Sequence, residues 1–133
     1  MPKSKLKLMV VDDEQDNLDL IYRTFRRHFP TFLANSPATA MQMIDVEGEM
    51  AIIISDQSMP EMTGIEFLSK ISARFPNTIR ILLTGYSEDA LEDDPDLISA
   101  AQIYKCVTKP WDPEDLKTIV QQAAEVYQAS LQQ

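Results

Sequence analysis

Residues 51–56 read Ala-Ile-Ile-Ile-Ser-Asp, an apolar run without polar alternation that ends at a single carboxylate. A half-solvated strand alternates apolar and polar residues. An unbroken run is buried on both faces, as in parallel sheets covered by helices on each side. Pro60 and Gly64 punctuate the turn that follows. This stretch narrows the fold to layered α/β arrangements, and it delivers one acid, Asp56, to the carboxyl end of a buried strand.

The rest of the chain repeats the alternation. Leu6–Val11 is a β-prone run closed by Asp12-Asp13-Glu14. Helical spacing follows over Asn17–Phe29, with Leu18, Ile21, Tyr22, Phe25 and Phe29 on one stripe, until Pro30 stops it. Thr31–Ala34 is a short second strand. Ser36-Pro37 reads as an N-cap and first-turn proline, opening a helix that turns Ala40, Met43 and Ile44 inward. After the third strand, Ala51–Ser55, the run Thr63-Gly64-Ile65-Glu66 has capping-box spacing. The helix it opens carries Ile65, Leu68, Ile71 and Phe75 on its apolar face, and Pro76 ends it. Ile79–Leu83 is a fourth strand, closed by Thr84-Gly85. Ser87–Ala101 is acidic and interrupted by Pro95, which predicts a short or broken helix. Ile103–Val107 is the fifth strand. Asp112-Pro113 then caps and starts a last helix with Leu116, Ile119, Val120, Ala123 and Tyr127 on one side.

Five strand–helix units in 133 residues predict one domain, an open parallel sheet with helices on both faces. The net charge of -9 would repel nucleic acid and anionic membranes, so neither is an expected partner; a basic partner or a divalent cation fits better. One cysteine, Cys106, rules out an internal disulfide and fits a reducing compartment. The apolar run Leu8–Val11 is too short for a signal peptide or a membrane span. A cytoplasmic protein is therefore expected.

Four of the five predicted strands end in a residue capable of chemistry: Asp12 and Asp13, Asp56, Thr84, and Lys109. In open parallel sheets ligands sit outside the carboxyl ends of the strands, where the strand order reverses. With strand order 2-1-3-4-5, that crevice lies between the first and third strands. Three carboxylates converging there would repel one another, and a small hard cation resolves the conflict. Mg²⁺ prefers oxygen ligands and commonly uses one or two carboxylates together with phosphate oxygens. Lys109 offers a point charge with three donors and Thr84 a hydroxyl, both suited to phosphoryl oxygens. Cation, lysine and hydroxyl together would balance a transferred phosphoryl group while a carboxylate serves as nucleophile. Asp56, alone on the central strand, is the natural acceptor.

The runs Val11-Asp12-Asp13-Glu14, Asp56-Gln-Ser-Met-Pro-Glu-Met-Thr-Gly64, Leu82-Leu-Thr-Gly85 and Thr108-Lys-Pro-Trp111 together resemble a response-regulator receiver domain over residues 6–130. The Thr-Lys-Pro-Trp ending and the Asp-Gln start are most similar to receivers attached to bacterial signalling enzymes. The resemblance implies a flavodoxin-like, doubly wound (βα)5 sandwich. It also implies that Asp56 accepts phosphate from a histidine kinase or histidine phosphotransfer protein. Asp13, Asp56 and the Ser58 backbone carbonyl would hold Mg²⁺ (or Mn²⁺), with Asp12 acting through water. Lys109 would pair with the phosphate and be followed by a cis peptide to Pro110, while Gly64 shapes the loop. Thr84 would report phosphorylation to a downstream effector, an attached output domain or a homodimer formed through the last helix.

One position departs from this pattern. Three residues before the site lysine the family usually carries an aromatic switch residue, and here Cys106 stands there. Tyr104, two residues earlier, shares a strand face with it and is expected to take over part of that role, or else coupling to the final helix is weakened. The resemblance also implies that Ser58 and Tyr86, each two residues after a site residue, flank the path of the attacking water, and a bulky Tyr86 there predicts slow self-hydrolysis.

Taken singly, these residues have blander explanations. Acids after a strand serve as helix N-caps, Thr84 can end a strand, and Lys109 can be a surface lysine. Cys106 reads better as a small buried apolar residue than as a redox sensor. His28 complements a helix end rather than carrying phosphate. Trp111 reads as a packing or docking residue, and Glu88–Asp96 as a solvated acidic face. It is their joint placement at strand ends that favours a site. An aspartate-nucleophile phosphatase would need a second aspartate at Ser58 and its nucleophile on the first strand. A docking pseudo-receiver would have lost an acid or the lysine.

Overall fold

Five short runs become the strands of one sheet in a computed structural model that describes residues 4–85 and 94–132. The strands are β1 (Leu8–Val11), β2 (Thr31–Ala34), β3 (Ile52–Asp56), β4 (Ile79–Thr84) and β5 (Lys105–Thr108). All pair in parallel, in the order β2-β1-β3-β4-β5, the flavodoxin-like order expected. Leu8 stands opposite both Thr31 and Ile52, and Ile52 opposite Ile79, so β1, β3 and β4 begin at one level.

Among the described residues five helices follow the strands in turn: α1 (Gln15–Phe25), α2 (Pro37–Glu47), α3 (Gly64–Arg74), α4 (Pro95–Ala101) and α5 (Pro113–Leu131). Side chains alternate across the pleat, so each strand serves two cores. Leu8, Val10, Ile52, Ile54, Ile81 and Leu83 pack with Leu18, Ile21 and Phe25 of α1 and Leu116, Val120 and Ala123 of α5. Met9, Val11, Ile53 and Leu82 pack with α2, α3 and α4 through Ala40, Ile44, Ile65, Phe67, Leu68, Ile71 and Ala101.

Local chemistry sets the helix starts. The Ser36 hydroxyl accepts from the Thr39 N–H at 3.1 Å, with Pro37 in the first turn. Thr63 and Glu66 close the capping box: the Thr63 hydroxyl accepts from the Glu66 N–H at 3.1 Å, and the Glu66 carboxylate accepts from the Thr63 N–H at 3.4 Å. Asp112 accepts from the Glu114 N–H at 2.8 Å. Each such cap contributes about 1 kcal/mol.

The structure moves some boundaries. β1 begins at Leu8, with Leu6 packed partly buried beside it. α1 ends at Phe25, and Phe29 is buried from the turn beyond it rather than from the helix. Tyr22, expected on the inward stripe, is 40% exposed, because Ile21 takes the inward place in that turn. β3 and β4 each run one residue further, through Asp56 and Thr84. β5 starts at Lys105, since Gln102 takes a left-handed conformation (φ 47°) at the end of α4 and the chain must first leave that turn. Tyr104 therefore lies just before β5 rather than within it, 39% exposed, while Cys106 packs against the α2–α3–α4 core. α4 is short, as Pro95 predicts, because that proline is its first residue. Tyr86 and the acids up to Asp93 lie outside the described residues, and the expectation of slow self-hydrolysis with them. Among the described residues, no helix is long and apolar enough to cross a membrane.

Candidate functional site

The carboxyl ends of β1, β3, β4 and β5 meet at one edge of the sheet. The last residues of β3 and β4 are Asp56 and Thr84, buried at 2% and 1% exposure, while Asp12 directly follows β1 and is fully buried. Strands buried on both faces can hold polar side chains only at their tips, which concentrates these groups in one place. Carboxylate oxygens of Asp12, Asp13 and Asp56 all lie within 4.8 Å of one another. Asp13 is exposed, so the cluster opens to solvent on its side.

Lys109 adds a cation to the cluster. Its Nζ donates to Asp56 Oδ1 at 2.5 Å, and its backbone N–H donates to the Thr84 carbonyl at 2.8 Å, which ties the lysine to the end of β4. The Lys109–Pro110 peptide is cis. Burial works against the Lys109 ammonium, yet the hydrogen bond and charge of Asp56, with Asp12 and Glu14 behind it, outweigh burial and raise its pKa. The lysine is thus a fixed cation.

Asp12 sits differently. Burial raises its pKa from 3.8 to about 6, with the Asp56 charge adding to the rise. The Glu14 N–H (2.9 Å, to Oδ1) and the Asn17 side-chain amide (3.1 Å, to Oδ2) pull the other way and fix its orientation. Three carboxylates against one ammonium leave an excess of two negative charges when all are ionised. Hard oxygen donors with that excess fit a divalent cation, and a proton on Asp12 is its natural competitor.

The loop after Asp56 is pinned by backbone. The Gln57 N–H donates to the Leu83 carbonyl at 2.9 Å, and the Gly64 N–H to the Gln57 carbonyl at 3.0 Å. The Gln57 side-chain oxygen accepts from the Ile65 N–H at 2.9 Å, serving the start of α3 from within. A Cβ on Gly64 would lie 2.4 Å from the Asp56 carbonyl oxygen and 2.7 Å from Leu82 Cδ1, so only glycine allows α3 to begin this close. Ser58 is exposed at the loop surface and Met59 is buried under it.

The structure thus gathers Asp12, Asp13, Asp56, Thr84 and Lys109 at one edge, with Ser58 and Gly64 in the adjoining loop. Tyr104 and Cys106 stand apart, at the start of β5. Asn17, Gln57 and Arg80 were not singled out from the sequence. Asn17 orients Asp12, and Gln57 braces the loop. Arg80, only 6% exposed, donates to the carbonyls of Thr78 (2.8 Å), Gln102 (3.3 Å), Pro76 (3.4 Å) and Phe75 (3.5 Å). Beside Lys109 lies a hollow of about 420 Å³, lined by Asn17, Leu20, Pro110 and Trp111.

Comparison with known proteins gives a consistent picture. The family model described as "response regulator receiver domain" matches residues 8–121. The hydrogenase transcriptional regulatory protein HoxA of Cupriavidus necator is 34% identical over 125 residues, covering 94% of this chain and 25% of HoxA. The chain thus spans about a quarter of the length of that relative. The chemotaxis protein CheY1 of Helicobacter pylori J99 is 29% identical, over 84% of this chain and 91% of CheY1. Among solved structures, the signal receiver domain of an HD domain-containing protein from Pseudomonas fluorescens Pf-5 superposes with a TM-score of 0.83. It is 25% identical, and the match covers 97% of this chain and 93% of that one.

Proposed function

The chain belongs to the response regulator receiver family, and we propose that it is a phosphorylation-switched module whose phosphoacceptor is Asp56. The observation that carries this reading is the contact of Lys109 Nζ with Asp56 Oδ1 at 2.5 Å, beside the convergence of Asp56 with Asp12 and Asp13. A carboxylate held by a fixed cation at the lip of a buried strand is oriented for attack, and its neighbours can absorb the charge that arrives.

Asp13, Asp56 and the Ser58 carbonyl would hold Mg²⁺, or Mn²⁺ in its place, with Asp12 acting through water. When bound, the metal supplies charge neutralisation for phosphoryl oxygens. The chain's own residues do the rest. An Asp56 carboxylate oxygen attacks the phosphorus of a phosphohistidine. The P–N bond breaks, and the imidazole leaves with the electron pair, taking up a proton. Lys109, already bonded to Asp56, keeps its charge within reach of the new phosphoryl oxygens. Thr84, at the end of the neighbouring strand, offers a hydroxyl to the same group and carries the change into β4.

The donor is a histidine kinase or a histidine phosphotransfer protein, and the hollow beside Lys109, with Leu20 and Trp111 on its wall, offers it an apolar foothold. The output is a partner protein or an attached domain, with dimerisation through α5 as one form of it. The chain is not a turnover enzyme; its chemistry is its own phosphorylation and dephosphorylation, and its place is the cytoplasm. Incubation with acetyl phosphate and Mg²⁺ tests the core of this reading. The wild type gains one phosphoryl group by mass and Asp56→Ala gains none. An unmodified wild type, or a modified Asp56→Ala, refutes it.

A further inference from the structure

Five arginines occur in the chain: Arg23, Arg26, Arg27, Arg74 and Arg80. Arg74 pairs with Asp45 at 2.7 Å, and Arg80 is buried among backbone carbonyls. The other three have no carboxylate partner among the described residues, and all three line one hollow. That hollow, of about 480 Å³, lies between the end of α1 and the side of α5 and is completed by Thr24, His28 and Lys117. Four of the chain's twelve lysines and arginines thus crowd into one place on a molecule of net charge -9. Among the described residues the one carboxylate paired there is Glu114, which meets Lys117 at 3.3 Å and is itself largely exposed.

Helix chemistry accounts for part of this. Cations in a last turn complement the helix dipole, and Arg23 is placed for that. It does not account for Arg26 and Arg27 beyond the helix end, nor for a lysine from α5 facing the same space. Like charges held together without counter-charges repel, and they are a ready site for an anion that would relieve them.

We infer that this hollow is a docking site for an acidic segment of a partner protein. Arginine forks fit carboxylates two oxygens at a time, and Arg23, Arg26 and Arg27 all line the hollow. Apart from the His28 ring, the lining is charged or hydroxylic, so little there would grip an apolar anchor. Charge alone is recognised. A second copy of this chain is the weaker occupant, because two molecules of charge -9 repel and exposed ion pairs alone contribute little each. α1 runs back from the acidic cluster for 11 residues, about 16 Å, so an occupant need not touch Asp56.

The test uses fluorescein-labelled poly-L-glutamate as probe, read by fluorescence anisotropy on the whole chain. Wild type binds at low salt and releases the probe at high salt. Arg23→Glu/Arg27→Glu weakens binding by about tenfold or more, while Lys70→Glu, on exposed α3 surface, leaves it within about twofold. If the reversal variant does not fold, Arg23→Gln/Arg27→Gln stands in, with a smaller loss expected. All variants take up phosphate from acetyl phosphate as wild type does, so failure here is separable from failure of the phosphoacceptor reading. Four outcomes would overturn the inference. They are absence of binding at low salt, equal loss in Lys70→Glu, salt-reversible self-association of wild type through Arg23 and Arg27, and displacement of the probe by inorganic polyphosphate at a tenfold lower concentration of charge.

Discussion

Asp12→Asn should make the metal-free protein more stable at neutral pH while weakening its response to Mg²⁺. Asp12 is fully buried, and its pKa rises from 3.8 to about 6, first through burial and then through the Asp56 charge. A folded-state pKa above the unfolded one means that the folded chain binds the proton more tightly. That contribution is complete below about pH 4 and is lost as the pH rises through about 6. A shift of about two units corresponds to roughly 3 kcal/mol, which ionised Asp12 takes from the fold at pH 7. The amide substitution removes the charge but keeps only one of the two accepted hydrogen bonds, from the Glu14 N–H or from Asn17, a loss of about 1 kcal/mol. A net gain of about 1–2 kcal/mol remains. Urea unfolding in EDTA, at about pH 4 and about pH 7, measures it: the variant gains on the wild type only at the higher pH. With Mg²⁺ at saturating concentration the ranking narrows or inverts, because metal that binds only the folded state stabilises the wild type more. A difference between variant and wild type that is the same at both pH values would refute the electrostatic reasoning.

Three other perturbations bear on separate parts of the structure. Gly64→Ala would gain about 1 kcal/mol if helix propensity ruled. The 2.4 Å approach to the Asp56 carbonyl instead predicts a loss of about 2–4 kcal/mol in urea unfolding, and a gain would refute the close packing of α3 on Asp56. Tyr127→Phe deletes the 2.6 Å bond from the Tyr127 hydroxyl to Glu49 and should lower stability by about 1 kcal/mol at neutral pH. Burial, then Glu49, pushes this phenol up to about 12, so the stabilisation is present below about pH 10 and lost as pH rises through about 12. In an absorbance titration one of the four tyrosines should ionise late, and that late phase should vanish in the variant. Tyr104→Ala should reduce phosphorylation-dependent dimerisation or partner binding; unchanged coupling would remove Tyr104 from the read-out.

Much of the site was legible because a doubly buried strand leaves no ambiguity about where its polar tip lies. Ile52–Asp56 could be read from five letters, and Asp12, Thr84 and Lys109 follow the same logic at neighbouring strand ends. The capping box at Thr63 and the prolines at 37 and 113 fixed helix starts through short-range chemistry, whereas Pro95, read as an interruption, proves to be a start. Long-range partnerships were not legible. Asn17 matters through Asp12, Gln57 through the Ile65 N–H, and Arg80 through four carbonyls. Backbone acceptors carry no residue-type signature, so nothing in the letters marks them. The start of β5 was misplaced because Ile103 is apolar enough to read as strand. The left-handed turn at Gln102, which delays the strand, falls on a residue with no special preference for it.

Arg80 holds one end of α4 by its terminal carbonyl at Gln102, and the following Tyr104 N–H is bonded back to the Arg80 carbonyl at 2.8 Å. A short rod pinned at one end has a fulcrum there. α4 has seven residues, so its far end lies roughly 10 Å from Gln102. A rotation of about 10° around that corner would carry Pro95 by about 2 Å. Leu97, Ile98 and Ala101 pack in one core with α3, so any re-aiming of the α4 surface must slide those side chains over α3.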